Sequence, residues 1–251
     1  MIRTATVALF AATCVAWPFA VQAQEMTCTP TLAEQPALAA LQTALDQVDG
    51  IYPNLADAFH AAVKAVCIAE PPVGAQGFFE PDTRHMVFAA DLPVGLQQAV
   101  FFHELRHAQQ FAIDACPVPG LSMREHAEVI FAMEADASVA TVVIADALRA
   151  NGDPAMWNAL ANWPLQADIL AAYATARAAG QDVALAASAA FDQWYANETR
   201  KDLYYVDSCL LFLEEQEREH RLPSYGTVDP AFFGRLCRLP DGTEYVCAPP
   251  E

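Results

Sequence analysis

Apolar positions recur with helical spacing over most of this chain, and the exceptions are short. From Thr31 to Val48 and from Asn54 to Ala69, alanine-rich segments repeat apolar residues three and four apart, as an amphipathic helix does. Asp49-Gly50 and Pro53 separate the two. The period then changes: Gly77-Phe78-Phe79, the turn residues Pro81-Asp82-Thr83 and the run His85 to Ala90 predict a β-hairpin. Asp91 suits an N-cap for the next helix, with Pro93 in its first turn, and Pro117 and Pro119-Gly120 bound its far end. Ser122-Met123-Arg124-Glu125 reads as a capping box opening a long helix that Asn151-Gly152 stops. Asp153-Pro154 starts another, and further helices are predicted over 166–179 and 183–219. The turn Pro240-Asp241-Gly242 predicts a last hairpin. The pattern predicts a mainly α (α+β) fold, with a small hairpin before the third helix and no internal repeats.

Residues 1–23 depart from this pattern and read as an export signal. Arg3 precedes a mainly apolar run from Ala5 to Val21, and Val21-Gln22-Ala23 offers a small-x-small cleavage site. The run is short for a membrane span and is interrupted by Pro18, so no stable anchor is expected after cleavage. Residues 24–251 are then expected to form a single domain, periplasmic or secreted. Six cysteines follow the signal: Cys28, Cys67, Cys116, Cys209, Cys237 and Cys247. An even number in an exported chain suggests disulfides. Cys237 and Cys247 flank the last turn and are expected to close that hairpin, leaving Cys28–Cys67 and Cys116–Cys209 by elimination. The net charge of −18 disfavours nucleic acid and anionic lipid as partners.

The chemistry concentrates in one stretch, His103-Glu104-Leu105-Arg106-His107. On a helix, residues four apart share a face, so both imidazoles can grip one metal ion, here taken to be Zn2+. Glu104, about 100° away around the helix, is then placed to act on metal-bound water. Zinc needs a third ligand. The next long helix supplies acids within the apolar stretch Val129 to Ala145, where Glu134 and Asp136 are the only charges. Buried carboxylates need partners, and a divalent cation would satisfy Glu134. The alternative is a structural acid paired with Arg106 or Arg124. Glu128 and Asp136 stand as competing ligands, and Asp136 is otherwise expected to orient a liganding histidine from behind.

Residues 103–110, His-Glu-Leu-Arg-His-Ala-Gln-Gln, with Glu134-Ala-Asp-Ala137, resemble the gluzincin branch of zinc metallopeptidases. The likeness is narrowest to small metallopeptidase-like domains with HExxHxxQ and a later EADA helix. The resemblance implies a zincin-like helical domain with His103, His107 and Glu134 as zinc ligands and Glu104 as general base. One position departs from it: gluzincins place an aspartate four residues after the ligand glutamate, where this chain has Ser138.

The expected activity is peptide hydrolysis by a zinc-activated water, on a peptide or protein substrate. Tyr204, Tyr205 and His220 are candidates to stabilise the oxyanion. By analogy, the strand His85 to Ala90 could be a sheet edge that pairs with extended substrate. His126, in the first turn of the second long helix, is expected to be exposed, and His60 to be structural. A second reading is an envelope metal-binding or scaffold protein that keeps the zinc geometry without turnover.

Overall fold

Two long helices buried on every side set the architecture, and the remaining elements cover them. The computed structural model describes residues 26–53, 55–69 and 76–249. The export-signal reading of residues 1–23 therefore lies outside the described residues. Strand β1 (Thr27–Thr29) leads through two single-turn 3-10 segments into α1 (Ala39–Asp49) and α2 (Leu55–Ala62), followed by β2 (Ala65–Ala69), β3 (Gly77–Glu80) and β4 (His85–Ala89). The helices α3 (Val94–Ala112), α4 (Met123–Ala150), α5 (Ala155–Asn162), α6 (Ala167–Ala178), α7 (Val183–Tyr195), α8 (Glu198–Arg218) and α9 (Phe232–Leu236) complete the described fold. It is mainly helical with one small sheet.

The hairpin β3–β4 forms as expected, with Phe79 opposite Met86. It belongs, however, to a four-stranded sheet in the order β1-β2-β4-β3. Strand β2 pairs parallel to β4 and antiparallel to β1. The run to Ala69 was expected as helix but ends in strand, because Ala65-Val66-Cys67-Ile68 is a short apolar run that either period fits. Cys28 lies opposite Cys67 across β1 and β2, and the two form a disulfide. The order also corrects the expected edge: β4 is interior, and the edge strands are β1 and β3.

Gln97 through Ala108 of α3 and Val129 through Ala145 of α4 are all buried. A helix without a polar stripe must be enclosed. The sheet, α1, α2 and α5 enclose α3, while α5 to α8 pack against α4. The α4 N-terminus forms only half a capping box: Ser122 Oγ accepts from the Glu125 backbone N–H, but the Glu125 carboxylate turns to the Val228 N–H. The predicted helix 183–219 breaks at Asn197, whose side chain caps α8 by accepting from the Arg200 N–H.

The C-terminal hairpin is tied by the Cys237–Cys247 disulfide, with Arg238 bridging Glu244 and the Tyr245 N–H donating to the Cys237 carbonyl. Cys116 and Cys209 do not pair. Cys209 is a free thiol, whereas Cys116 is disulfide-bonded.

Candidate metal centre

The helical spacing of the two histidines does what their sequence positions imply. His103 and His107 lie one turn apart on α3, their Nε2 atoms 3.1 Å from each other, where α3 packs against α4. Glu134 of α4 meets both: Oε2 is 3.2 Å from His103 Nε2, and Oε1 is 3.4 Å from His107 Nε2. One ligand atom from each of the three lies within 4.8 Å of the others. All three residues are buried.

The other proposed ligands are elsewhere. Glu128 sits on the surface beside Arg124, 4.0 Å away. Asp136 faces Arg106, which donates from Nε at 2.7 Å and from Nη2 at 3.2 Å. Among the described residues one other group of potential ligands converges, Cys28, Cys67 and His85, but its two sulfurs are consumed in a disulfide.

Burial and charge give these groups unusual proton affinities. Burial alone would push His107 down, but the Glu134 carboxylate beside it pushes it up to about 9. Burial would raise Glu134, and the two histidines instead pull it well below the usual carboxylate range. Glu104 behaves differently. Desolvation raises its pKa, and the histidines and a hydrogen bond from the Phe79 backbone N–H only partly oppose this. Its Oε1 is buried without a hydrogen bond, as is Oε1 of Glu134.

The Phe79 contact follows from the register of β3. Ala89 N–H donates to the Gln76 carbonyl, so in the antiparallel ladder Phe78 and Glu80 pair with β4 while Gly77 and Phe79 turn to the free edge. One group of that free edge is thus directed at the base of the HExxH motif.

Asp136 does not touch a histidine, contrary to expectation, because it lies about 200° around α4 from Glu134. It reaches His107 through Gln110. The Gln110 side-chain NH2 donates to Asp136 Oδ2 (2.8 Å) and to the Met133 carbonyl (2.9 Å). With both N–H groups spent, its Oε1 faces His107 Nδ1 at 2.8 Å. An amide oxygen can only accept, so Nδ1 carries a proton and Nε2 is left to face Glu134. Gln110 was legible only as the glutamine of HExxHxxQ, one turn beyond His107 on the same face. The fourth donor to Asp136 is the Tyr245 hydroxyl, 2.7 Å from Oδ1, a contact across 109 positions that no local pattern encodes. Ser138, at the departing position, accepts from Gln166 instead.

Of the three oxyanion candidates, only Tyr204 reaches the centre. It is buried on α8, and desolvation, then the charge of Glu134 and a hydrogen bond to it, hold its pKa well above the usual value. Tyr205, one residue on, turns outward to Cys209. His220 lies in the exposed turn beyond α8, with φ of 52°. His126 is buried rather than exposed, with its ring edge-on to Phe212.

A mainly helical fold that buries two histidines and a glutamate around one point, with a further carboxylate alongside, has the donor set of a metal-dependent hydrolase. The chain belongs to the family described as "Putative metallopeptidase family (DUF6782)", which it matches over residues 8–247. Neither a curated protein nor a solved structure gives a significant match.

Proposed function

We propose that this protein is a zinc-dependent peptidase of the gluzincin type, with His103, His107 and Glu134 as metal ligands and Glu104 as general base. The observation that carries the reading is the convergence of those three buried donor groups within 4.8 Å. The residues fit the ion. Two nitrogens and one carboxylate oxygen suit zinc and leave a position for water. Glu104 and Glu134 are both buried carboxylates, and Arg106, the guanidinium on the same helix, is committed to Asp136. A divalent cation would balance that charge.

When bound, zinc supplies a Lewis acid and a water of lowered pKa. The rest is done by the chain. The open Oε1 of Glu104 accepts the proton of the attacking water, and its raised pKa brings it closer to the operating range of a base at neutral pH. Glu104 then returns the proton to the leaving amine. Tyr204, kept protonated by burial, offers its hydroxyl to the oxyanion. Extended substrate would lie along β3, the edge strand beside Glu104, rather than along β4.

Cys28–Cys67 and Cys237–Cys247 point to an oxidising compartment, which agrees with a periplasmic or secreted enzyme. None of the described helices is long and apolar enough to cross a membrane.

The test is metal analysis of purified protein, followed by cleavage assays on a broad peptide library with Glu104→Gln as control. Bound zinc with cleavage that Glu104→Gln abolishes is the expected result. Stoichiometric zinc without any cleavage would favour the non-catalytic metal-binding reading. Failure to take up zinc would overturn both.

A further inference from the structure

We infer that Tyr245 is a positioning residue for the metal centre, acting on His107 through Asp136 and Gln110. The C-terminal hairpin closed by Cys237–Cys247 is the element that delivers it. The inference rests on the metallopeptidase reading and adds to it a control point in a part of the chain remote from the HExxH motif.

Every contact along the relay is a hydrogen bond with a fixed direction. Tyr245 donates to Asp136 Oδ1, Gln110 donates to Asp136 Oδ2, and His107 Nδ1–H donates to Gln110 Oε1. Burial raises the Tyr245 pKa well above its usual value, and the Asp136 charge raises it further, so the hydroxyl stays a donor. Asp136 receives four donors, two from Arg106 and one each from Gln110 and Tyr245. A carboxylate offers about four acceptor sites, so each oxygen is held in place. Without the Tyr245 hydroxyl, Oδ1 has only the 3.2 Å bond from Arg106 Nη2. The carboxylate is then free to turn toward a symmetric fork with Arg106 and away from Gln110. Gln110 would lose one of the two bonds that fix its amide, and with it the requirement that its oxygen face His107.

The hairpin is anchored on both sides of its disulfide. Leu236, next to Cys237, accepts through its carbonyl from Arg106 Nη2, and Tyr245 lies two residues before Cys247. The ring of Tyr245 also packs against Phe191 of α7, with centroids 6.2 Å apart. The cross-link thus holds two groups, a carbonyl and a hydroxyl, on the same buried Arg106–Asp136 pair.

The experiment measures Zn2+ affinity of the full chain by competition with a chromophoric chelator. Its variants are Tyr245→Phe, Gln110→Met and the double variant, with wild type and His107→Ala as references. Partners behind a metal-ligating histidine typically change affinity ten- to a hundredfold, and Tyr245 is three hydrogen bonds removed from His107, so Tyr245→Phe should weaken zinc by about tenfold at most. The Co2+-substituted protein should show a shifted visible spectrum, which a loss of packing alone would not produce. In the Gln110→Met background, where the relay is already cut, Tyr245→Phe should add nothing. Opening the hairpin with Cys237→Ala and Cys247→Ala should weaken zinc in the same direction. Wild-type affinity in Tyr245→Phe, or losses that multiply in the double variant, would overturn the inference. A wild type that binds zinc no better than His107→Ala would show instead that the metal reading has failed.

Discussion

The two faces of the α3–α4 pair treat their buried carboxylates in opposite ways. Toward the C-terminal hairpin, Asp136 takes four hydrogen bonds and an ion pair with Arg106. On the other side, Glu104 keeps one buried oxygen without a hydrogen bond, and Glu134 Oε1 has the His107 ring 3.4 Å away without forming a hydrogen bond to it. Leaving a buried acceptor open costs roughly 1–3 kcal/mol, more for a charged one. The first arrangement builds a rigid wall. The second leaves acceptor capacity of the kind the proposed metal-activated water would use. An open polar atom is not sufficient by itself, since His126 Nε2 is also buried without a partner and belongs to neither cluster of potential ligands among the described residues. Convergence separates the two cases.

The sharpest way to break this comparison is to alter Glu104. Glu104→Gln should leave zinc content unchanged and lower turnover about 10²- to 10⁴-fold, the range for loss of a general base, as measured by peptide cleavage. The same variant should not unfold earlier than wild type when metal-free. Glu104 has its folded pKa raised, so the folded state holds the proton more tightly than the unfolded chain does. Its contribution is favourable below the raised value and is lost as pH rises through it. Removing the charge at neutral pH should therefore be neutral or stabilising.

Asp136→Ala is the opposite experiment on the satisfied face. It strands the buried Arg106 guanidinium with only Leu236 and Gln109 oxygens as acceptors. Breaking a buried ion pair from one side costs about 3–5 kcal/mol, read as a lowered denaturant midpoint in the metal-free protein. A loss below 1 kcal/mol would mean that the face is not the rigid wall described.

What was legible in the chain follows the range of the interactions. The Glu134 helix is set by local periodicity and its Ser122 cap, whereas the HExxH helix starts after Pro93 with no side-chain cap and not at the expected Asp91. The burial of Glu134 follows from an apolar stretch with almost no other charge. The difference in burial between Glu134 and Glu128 is readable from the apolar stretch along that one helix. The contacts that hold the centre in register are non-local. Tyr245 reaches Asp136 from the far end of the chain, and the Phe79 N–H reaches Glu104 from a sheet edge whose strand order depends on β2. Strand β2 is ambiguous in sequence because its five apolar residues fit either period. Asp136 meets Gln110 rather than a histidine, since sequence spacing gives its angle on α4 and not the glutamine that fills the gap.

His126 sharpens the comparison from outside the centre. Burial lowers its pKa from 6.5 to about 4, so it is neutral in the folded protein at neutral pH. The unfolded chain takes up a proton below about 6.5, while the folded protein resists until about 4. Stability is therefore lost as pH falls through that window, by about 3 kcal/mol in total for this group. The difference in unfolding free energy between wild type and His126→Phe, followed from pH 7 to pH 4, isolates the effect. A flat difference would show that His126 is hydrated or paired, and hence not an open buried atom.

Gly77 joins the free edge to the open face, and its substitution should have the smallest effect of the four. A Cβ there would lie 2.6 Å from Val100 Cγ1 of α3 and 2.7 Å from the Val87 carbonyl of β4. Both are far inside van der Waals contact, so Gly77→Ala must push β3 away from α3 or from β4. Overpacking of this kind costs about 1–3 kcal/mol. Phe79 lies two residues along the same strand, so the displacement should also weaken its hydrogen bond to Glu104 while leaving α3 and α4, and hence the three ligand groups, in place. Turnover should therefore fall more than zinc affinity does. Trimming the helix side with Val100→Ala should rescue the variant only in part, because the Val87 carbonyl is backbone and cannot be shortened. Equal losses in turnover and zinc affinity would mean that the sheet edge positions the ligands as well as the base, and the division between the two faces would then have to be redrawn through β3.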